Sequence, residues 1–479
     1  DAMGTKGLGT STGEKQLAGL LSLSGDVNFS TPLTMKGGAS VFTDGSINFT
    51  STVNLDTGND LLTLRANNVD FTQATLQNLT TASIRLEPYD VTTNILLNSS
   101  SGSAGGGIFL DGNAPATDIS KLVGIKNLTI GRADGTGTTT VDSSGFSFNA
   151  NNNLSLLNGS IQVDGALSNS NGSGHVLAQA GVGDVVIGSG GTVTAQGSGD
   201  AVVLVAERNF VNQAGVNALS ASNGRWLTYS SSPLDDVRGG LDVAFKQYAA
   251  NYGDTVLGSG NGHLYRYAPK VTVELQGEVR KTYDGNAAAS VSDANFAMSG
   301  AIDGDTIDVL SFGNAYYADK NAGAGKQVTV DNVEVSEATN GNVKVYGYQV
   351  DASSVSGDVG QIDRKVLTAN ADVAGKTYDG TTTANLSNVA LVGVVAGDEG
   401  KVGTSGATGA FSDKNAGQDK SVTGSGIALT GEEADNYSFD TDAEIGKADI
   451  DRKVLTANAE VANKTYDGTT TANLSNVSL

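Results

Sequence analysis

Apolar residues recur in pairs with one polar residue between them along the first part of the chain: Val27 and Phe29, Ile47 and Phe49, Val53 and Leu55, Leu62 and Leu64, Val69 and Phe71, Ile84 and Leu86. This alternation puts both members on one face of a strand. No single stretch is long enough to make a core, so each must be covered by a neighbour of the same kind. A right-handed parallel β-helix meets that need, because the inward side chains of successive coils pile into one continuous core. The pattern continues through Leu154, Leu156, Ile161, Val163, Val176, Val185, Ile187, Val193, Val202 and Leu204, with the Asn-rich 151–153 and the Gly-rich 188–191 expected at corners. Coils of ~20 residues spaced ~4.8 Å apart predict a solenoid on the order of 40 Å long over residues 17–208. A sandwich of hairpins is the competing architecture, but the tight two-residue turns it needs are few. Residues 1–16 are polar and read as a flexible lead-in or an expression remnant.

The texture changes over residues 209–269, where Phe210, Trp226, Tyr229, Phe245, Tyr248, Tyr252, Tyr265 and Tyr267 gather. A solenoid leaves its last coil open, and this aromatic segment reads as the cap and junction. Within it, residues 241–252 have the spacing of a short amphipathic helix. An aromatic platform for glycans is the alternative reading.

An explicit tandem repeat follows. KTYDGTTTANLSNV at 376–389 returns letter for letter at 464–477, and a divergent copy begins KTYDG at 281. The tyrosine sits 13 residues after a strand-starting lysine in each copy: Lys270 and Tyr283, Lys365 and Tyr378, Lys453 and Tyr466. DKNAG occurs at 319–323 and 413–417, and IDRKVLTANA at 362–371 and 450–459. The expected organisation is a first module at 270–364, a second at 365–452 and the truncated start of a third at 453–479. Residues 362–370 hold neither Pro nor Gly, so one strand should lead straight into the next module, unlike a flexible linker. Small β-rich modules, sandwich-like or β-grasp-like, complete an all-β fold class.

Composition narrows the function. Gly is 64 of 479 residues, Pro only 5, and 38% of the chain is hydrophobic, which suits a folded β protein better than a disordered or collagenous one. A net charge of −22 excludes the Lys/Arg clusters that nucleic acid requires and disfavours an anionic membrane. Cysteine is absent, so disulfides, thiolate metal sites and Cys nucleophiles are out. No apolar run is long enough to span a membrane as a helix, and membrane insertion is not expected. No signal peptide is read at the start, so a processed or truncated piece, or a cytosolic protein, is expected.

The strand I-x-x-K-x-L-T followed by Tyr-Asp-Gly resembles the YDG-type modules of filamentous-haemagglutinin-like exoproteins. NFVNQAG at 209–215, GRWLTYSSSP at 224–233, GGLD at 239–242 and NGHLYRYAP at 261–269 are similar to the junction those proteins carry after their β-helix. The resemblance covers roughly residues 200–479 and implies a Gram-negative protein exported by two-partner secretion. It implies an outer-membrane transporter as partner during export, a location outside the cell or on its outer surface, and a role in adhesion, aggregation or biofilm formation. The first module departs from the pattern, since Lys270 is followed by VTVEL. The expected function is thus a non-catalytic adhesin stalk, with a host or matrix glycan or protein as target. A β-helical polysaccharide-degrading enzyme and an array of carbohydrate-binding modules are the alternatives.

The motif residues Tyr283, Asp284, Gly285, Tyr378, Asp379, Gly380, Tyr466, Asp467 and Gly468 read as structural. The Asp accepts local amide hydrogen bonds, the Gly takes positive φ and the Tyr packs at the module edge. Asp303, Asp305 and Asp308 cluster, and Asp398 with Glu399 holds the comparable place in the next module. These three aspartates are the calcium candidates, but the complete loop with its distal Glu is missing and a solvated acidic loop is expected. GTSTG at 9–13 matches the G-x-S-x-G pattern without a strand–elbow–helix setting. The two histidines, His175 and His263, lack metal-ligand partners at the usual spacing. No catalytic residue, metal site or cofactor is expected.

Overall fold

Strand after strand pairs in parallel with a strand one repeat further along the sequence, and this pairing sets the architecture of the first half. The computed structural model describes residues 15–58, 60–98, 107–109, 117–118, 120–406 and 408–479. The chain is all-β, and no α-helix occurs among the described residues. Most of the expected lead-in, and with it GTSTG, lies outside the described residues; Lys15 and Gln16 open the strand Lys15–Leu17.

The longest parallel ladder runs through Leu20–Leu23, Ser40–Thr43, Leu61–Arg65, Ser83–Glu87, Asn127–Gly131, Asn153–Asn158, His175–Ala180, Gly199–Ala206 and Gly224–Ser230. A second joins Ile95–Asn98, Thr138–Val141, Ser160–Val163, Val185–Ile187 and Phe210–Asn212. A third joins Phe146–Phe148, Ala166–Asn169, Thr192–Ala195 and Leu219–Ala221. Register keeps like over like. Val27 faces Ile47 and Ile47 faces Val69, while Leu62, Ile84, Leu128, Leu154 and Val176 follow one another in line. All of the alternating apolar residues named above are buried in one cluster that runs from Val27 to Leu241. The clearest stack is aromatic: Phe29 and Phe49 lie 5.0 Å apart at 12°, and Phe49 and Phe71 5.2 Å apart at 2°. The outward positions stack too, as in the hydrogen bond from Asn48 Nδ2 to Asn28 Oδ1 at 2.9 Å, 20 residues away.

Two units make up the chain. The first holds the described residues up to Thr272 together with Met298–Leu310 and Glu334–Asp351; the second holds Val273–Ala297, Ser311–Val333 and Ala352–Leu479. Residues 270–364 therefore supply strands to both.

In the first unit, Gly224–Ser230 pairs with Gly262–Tyr265, which pairs with Phe245–Gln247. That strand's free edge is taken in parallel by Val343–Tyr346, which pairs antiparallel with Glu334–Asn340. An edge that would otherwise offer unpaired amides is thereby covered. Gly347, at φ 87, permits the approach: a Cβ there would lie 2.2 Å from the Tyr248 carbonyl oxygen. The amphipathic helix expected at 241–252 is absent. Pairing on both edges of Phe245–Gln247 satisfies its backbone and overrides the local helical spacing. Of the eight aromatics expected in the cap, Phe210, Trp226, Tyr229, Phe245, Tyr248 and Tyr265 are buried, and Tyr252 and Tyr267 are exposed.

His263, which is buried, and Asp236, which is half-buried, are titratable groups of this region. Burial pushes the His263 imidazole down to about 3, with the Arg238 and Lys246 charges acting in the same direction. Burial pushes the Asp236 carboxyl up to about 7, against the lowering pull of hydrogen bonds from Ser230 and the Phe210 amide. A carboxyl raised on folding stabilises the native state fully below its unfolded pKa near 4, and that contribution disappears as pH rises through 7. Asp236→Asn keeps an oxygen for the Phe210 amide and an NH2 that donates to the Ser230 hydroxyl, and is expected to match the parent near pH 4 and to melt higher than it above pH 7. Thermal melts across that range check this; equal melting temperatures at pH 8 contradict it.

In the second unit, Val279–Thr282 pairs in parallel with Ser354–Asp363, which pairs antiparallel with Gly323–Asp331 and through it with Ala315–Tyr317. The next repeat follows the same scheme. Lys376–Thr377 pairs in parallel with Glu444–Asp451, which pairs antiparallel with Gly417–Thr423 and through it with Thr408–Phe411. Its core gathers Ala369, Ala384, Phe411, Val422, Ile427, Ile445 and Ile450. Only Arg364 separates the strand Ser354–Asp363 from Lys365–Val373. The hairpin Asn458–Val461 with Leu474–Ser478 is exposed throughout.

Candidate functional site

The KTYDG turn has one geometry in all three copies. Lys281, Lys376 and Lys464 each donate from Nζ to the motif aspartate, at 2.7, 2.9 and 2.8 Å to Asp284, Asp379 and Asp467. Each lysine also donates to the carbonyl oxygen five residues on, at Asn286, Thr381 and Thr469. The aspartate in turn accepts the amide two residues ahead, at 3.1, 2.9 and 3.0 Å. Gly285, Gly380 and Gly468 follow at φ 83, 81 and 77, the left-handed region glycine enters without a Cβ penalty. The Thr381 amide, with the Lys376 ammonium, holds the Asp379 carboxyl down to about 2.

With the turn constant, the tyrosines differ in cover: Tyr283 is 1% exposed, Tyr378 half-buried and Tyr466 94% exposed. Tyr283 is covered by residues 395–437. Its hydroxyl donates to Asp398 Oδ2 at 2.9 Å, and Tyr437 donates to the same oxygen at 2.7 Å. The two rings meet edge to face at 5.3 Å. The Val395 amide donates to the Tyr437 hydroxyl at 3.1 Å. DKNAG completes the contact. Lys320 donates to Glu433 Oε1 at 2.8 Å and to the Tyr283 hydroxyl at 3.1 Å, and lies 3.6 Å from Asp398. Asn436 accepts the Ala322 amide at 2.8 Å. Burial opposes ionisation of Asp398, but the hydrogen bonds from Tyr437 and Tyr283 and the Lys320 charge outweigh it and hold the carboxyl below its usual range.

The first unit repeats this arrangement with other donors. Asp305, at the position corresponding to Asp398, accepts Tyr248 at 2.6 Å and Tyr348 at 3.0 Å, both on Oδ2. The Ile302 amide donates to the Tyr348 hydroxyl at 2.9 Å, as Val395 does to Tyr437. Lys246 pairs with Asp305 and lies 2.8 Å from Asp303, which also receives a two-pronged hydrogen bond from Arg238 at 2.7 and 2.6 Å. Tyr248 and Lys246 thus occupy the places that Tyr283 and Lys320 hold in the second unit.

The three calcium candidates fall in different settings. Asp303 and Asp305 are engaged by Arg238, Lys246 and the two tyrosines, whereas Asp308 is exposed and accepts Thr339 Oγ1 at 2.7 Å. Among the described residues no group of three or more His, Asp or Glu side chains is placed to hold a metal ion. His263 is buried against Thr228, with Nδ1 and the threonine Oγ1 2.5 Å apart, and His175 contacts the Ser198 carbonyl oxygen at 2.9 Å. Sequence reasoning did not find the tyrosine–aspartate–tyrosine constellation. The signal was present in the equivalent placement of Asp305 and Asp398 and in the recurrence of DKNAG.

Parallel ladders in the first unit and repeated β modules that meet at a buried tyrosine in the second make this an all-β chain. Residues 268–352 and 363–444 each match the YDG domain family. No curated protein and no solved structure matches the chain.

Proposed function

We propose that this chain is a non-catalytic stalk segment of a secreted or outer-surface bacterial adhesin of the filamentous-haemagglutinin-like, two-partner-secretion kind. In this reading residues 17–208 form a right-handed parallel β-helix, the hand that parallel crossovers almost always take. The modules lengthen it, and an outer-membrane transporter exports the whole. The observation that carries the reading is repetition: parallel ladders in the first unit, and in the second, repeated modules with Arg364 alone between their linking strands. Stacking of repeats increases reach without requiring a particular constellation of side chains, which suits a projecting element. Its targets are glycans or proteins of a host or matrix, met by surface loops.

Deletion of the gene tests the proposal. The expected result is loss of surface attachment and biofilm, with purified protein releasing no reducing ends from pooled polysaccharides. Normal attachment, or sugar release abolished by one acidic substitution, overturns it in favour of the enzyme.

A further inference from the structure

We infer that the tyrosine of KTYDG and the lysine and asparagine of DKNAG together form a docking face, and that Tyr378, Lys414 and Asn415 are such a face awaiting another YDG-type module. The inference goes beyond the adhesin reading and does not depend on it.

The copy at Tyr283 shows what the face binds. Its hydroxyl, the Lys320 ammonium and the backbone at Ala322 meet a receiving set made of Asp398, Glu433, Asn436 and Tyr437. That set has a carboxylate already held by its own module's tyrosine, with lone pairs left for one more hydroxyl and one ammonium. The first unit meets the same demand at Asp305 with Tyr248 and Lys246. Two receivers filled by equivalent donors from unlike segments point to selection for the pairing itself.

The second repeat carries the donor face again. Lys376, Asp379 and Gly380 hold the turn as in the first, and the Tyr378 amide donates to the Asp451 carbonyl oxygen at 2.8 Å as that of Tyr283 does to Asp363. Lys420 braces Asp413 at 2.6 Å as Lys326 braces Asp319. Yet Tyr378 is only half-buried, and Lys414 and Asn415 are exposed. The occupant this face fits is a module with an aspartate and a tyrosine placed as Asp398 and Tyr437 are. Both such receivers among the described residues are already filled, so those residues of a second copy offer none. The restart of the repeat at 453–479 identifies the kind of partner as another module of the same series.

Nitration of tyrosines by tetranitromethane, read by peptide mass spectrometry, tests this on two proteins. One is the present chain. The other is the chain extended after Leu479 by a copy of residues 392–452. In the present chain Tyr283 should resist and Tyr378 react. In the extended chain Tyr378 should lose its reactivity, and alanine at the appended copy of position 398 should restore it. Asp398→Ala in the present chain should likewise expose Tyr283, which keeps the test decisive if the appended segment does not fold. Tyr378 that reacts equally in both proteins while the appended segment is protected from hydrogen exchange overturns the inference. So does Tyr283 that stays resistant beside Asp398→Ala.

Discussion

Phe49→Ala is expected to cost about 3–5 kcal/mol of the stability of the strand stack, the range for truncating a fully buried phenylalanine. Phe49 is 1% exposed and lies between the rings of Phe29 and Phe71. Collapse cannot fill the gap, because Val27–Phe29, Ser46–Phe49 and Asn68–Asp70 are held at ladder spacing by their own backbone hydrogen bonds. The cavity therefore remains and both neighbouring rings lose contact area. The outward neighbour supplies the control: Asn48→Ala removes one exchangeable side-chain hydrogen bond and should cost about 1 kcal/mol. Hydrogen exchange of peptides covering residues 27–71 in both variants measures the difference. Equal protection in the two would contradict the stacked core.

The second large effect is expected at the other end of the first unit. Lys246→Met should destabilise it by about 3–5 kcal/mol, because Asp305, with a fully buried side chain, keeps its charge and loses its cation. Asp303 retains Arg238 and should suffer less. Adding Asp305→Asn removes the stranded charge while leaving an oxygen for Tyr248 and Tyr348, and should restore most of the loss at neutral pH. Denaturant unfolding of the four proteins closes the cycle. A loss below about 1 kcal/mol for Lys246→Met would mean that Asp305 is not buried with that lysine.

Particular residues show how far the sequence could be read. The inward pairs were legible because a strand's period of two is a local property, and each pair named from Val27 to Leu204 is buried. Residues 241–252 were misread because helical spacing is also local, whereas the pairing that decides the matter comes from Gly262–Tyr265 and from Val343–Tyr346, almost a hundred residues away. The acidic cluster was read as a solvated loop, with calcium as the lesser candidate, since closely spaced oxygens look alike in sequence whatever satisfies them; Asp305 is instead buried and both Asp303 and Asp305 are ion-paired. Their partners are Arg238, Lys246, Tyr248 and Tyr348, each distant in the chain. The turn chemistry of Lys376, Asp379 and Gly380 was within reach, being confined to a few residues. What the tyrosine does was not, because its partner lies in the following repeat.

Small-angle X-ray scattering of the purified chain tests the proposed stalk most directly. A single globule of this length has a radius of gyration of about 23 Å. The account predicts a clearly larger value and a pair-distance distribution with the long tail of an extended particle. A value near that of the globule, with a symmetric distribution, would contradict it.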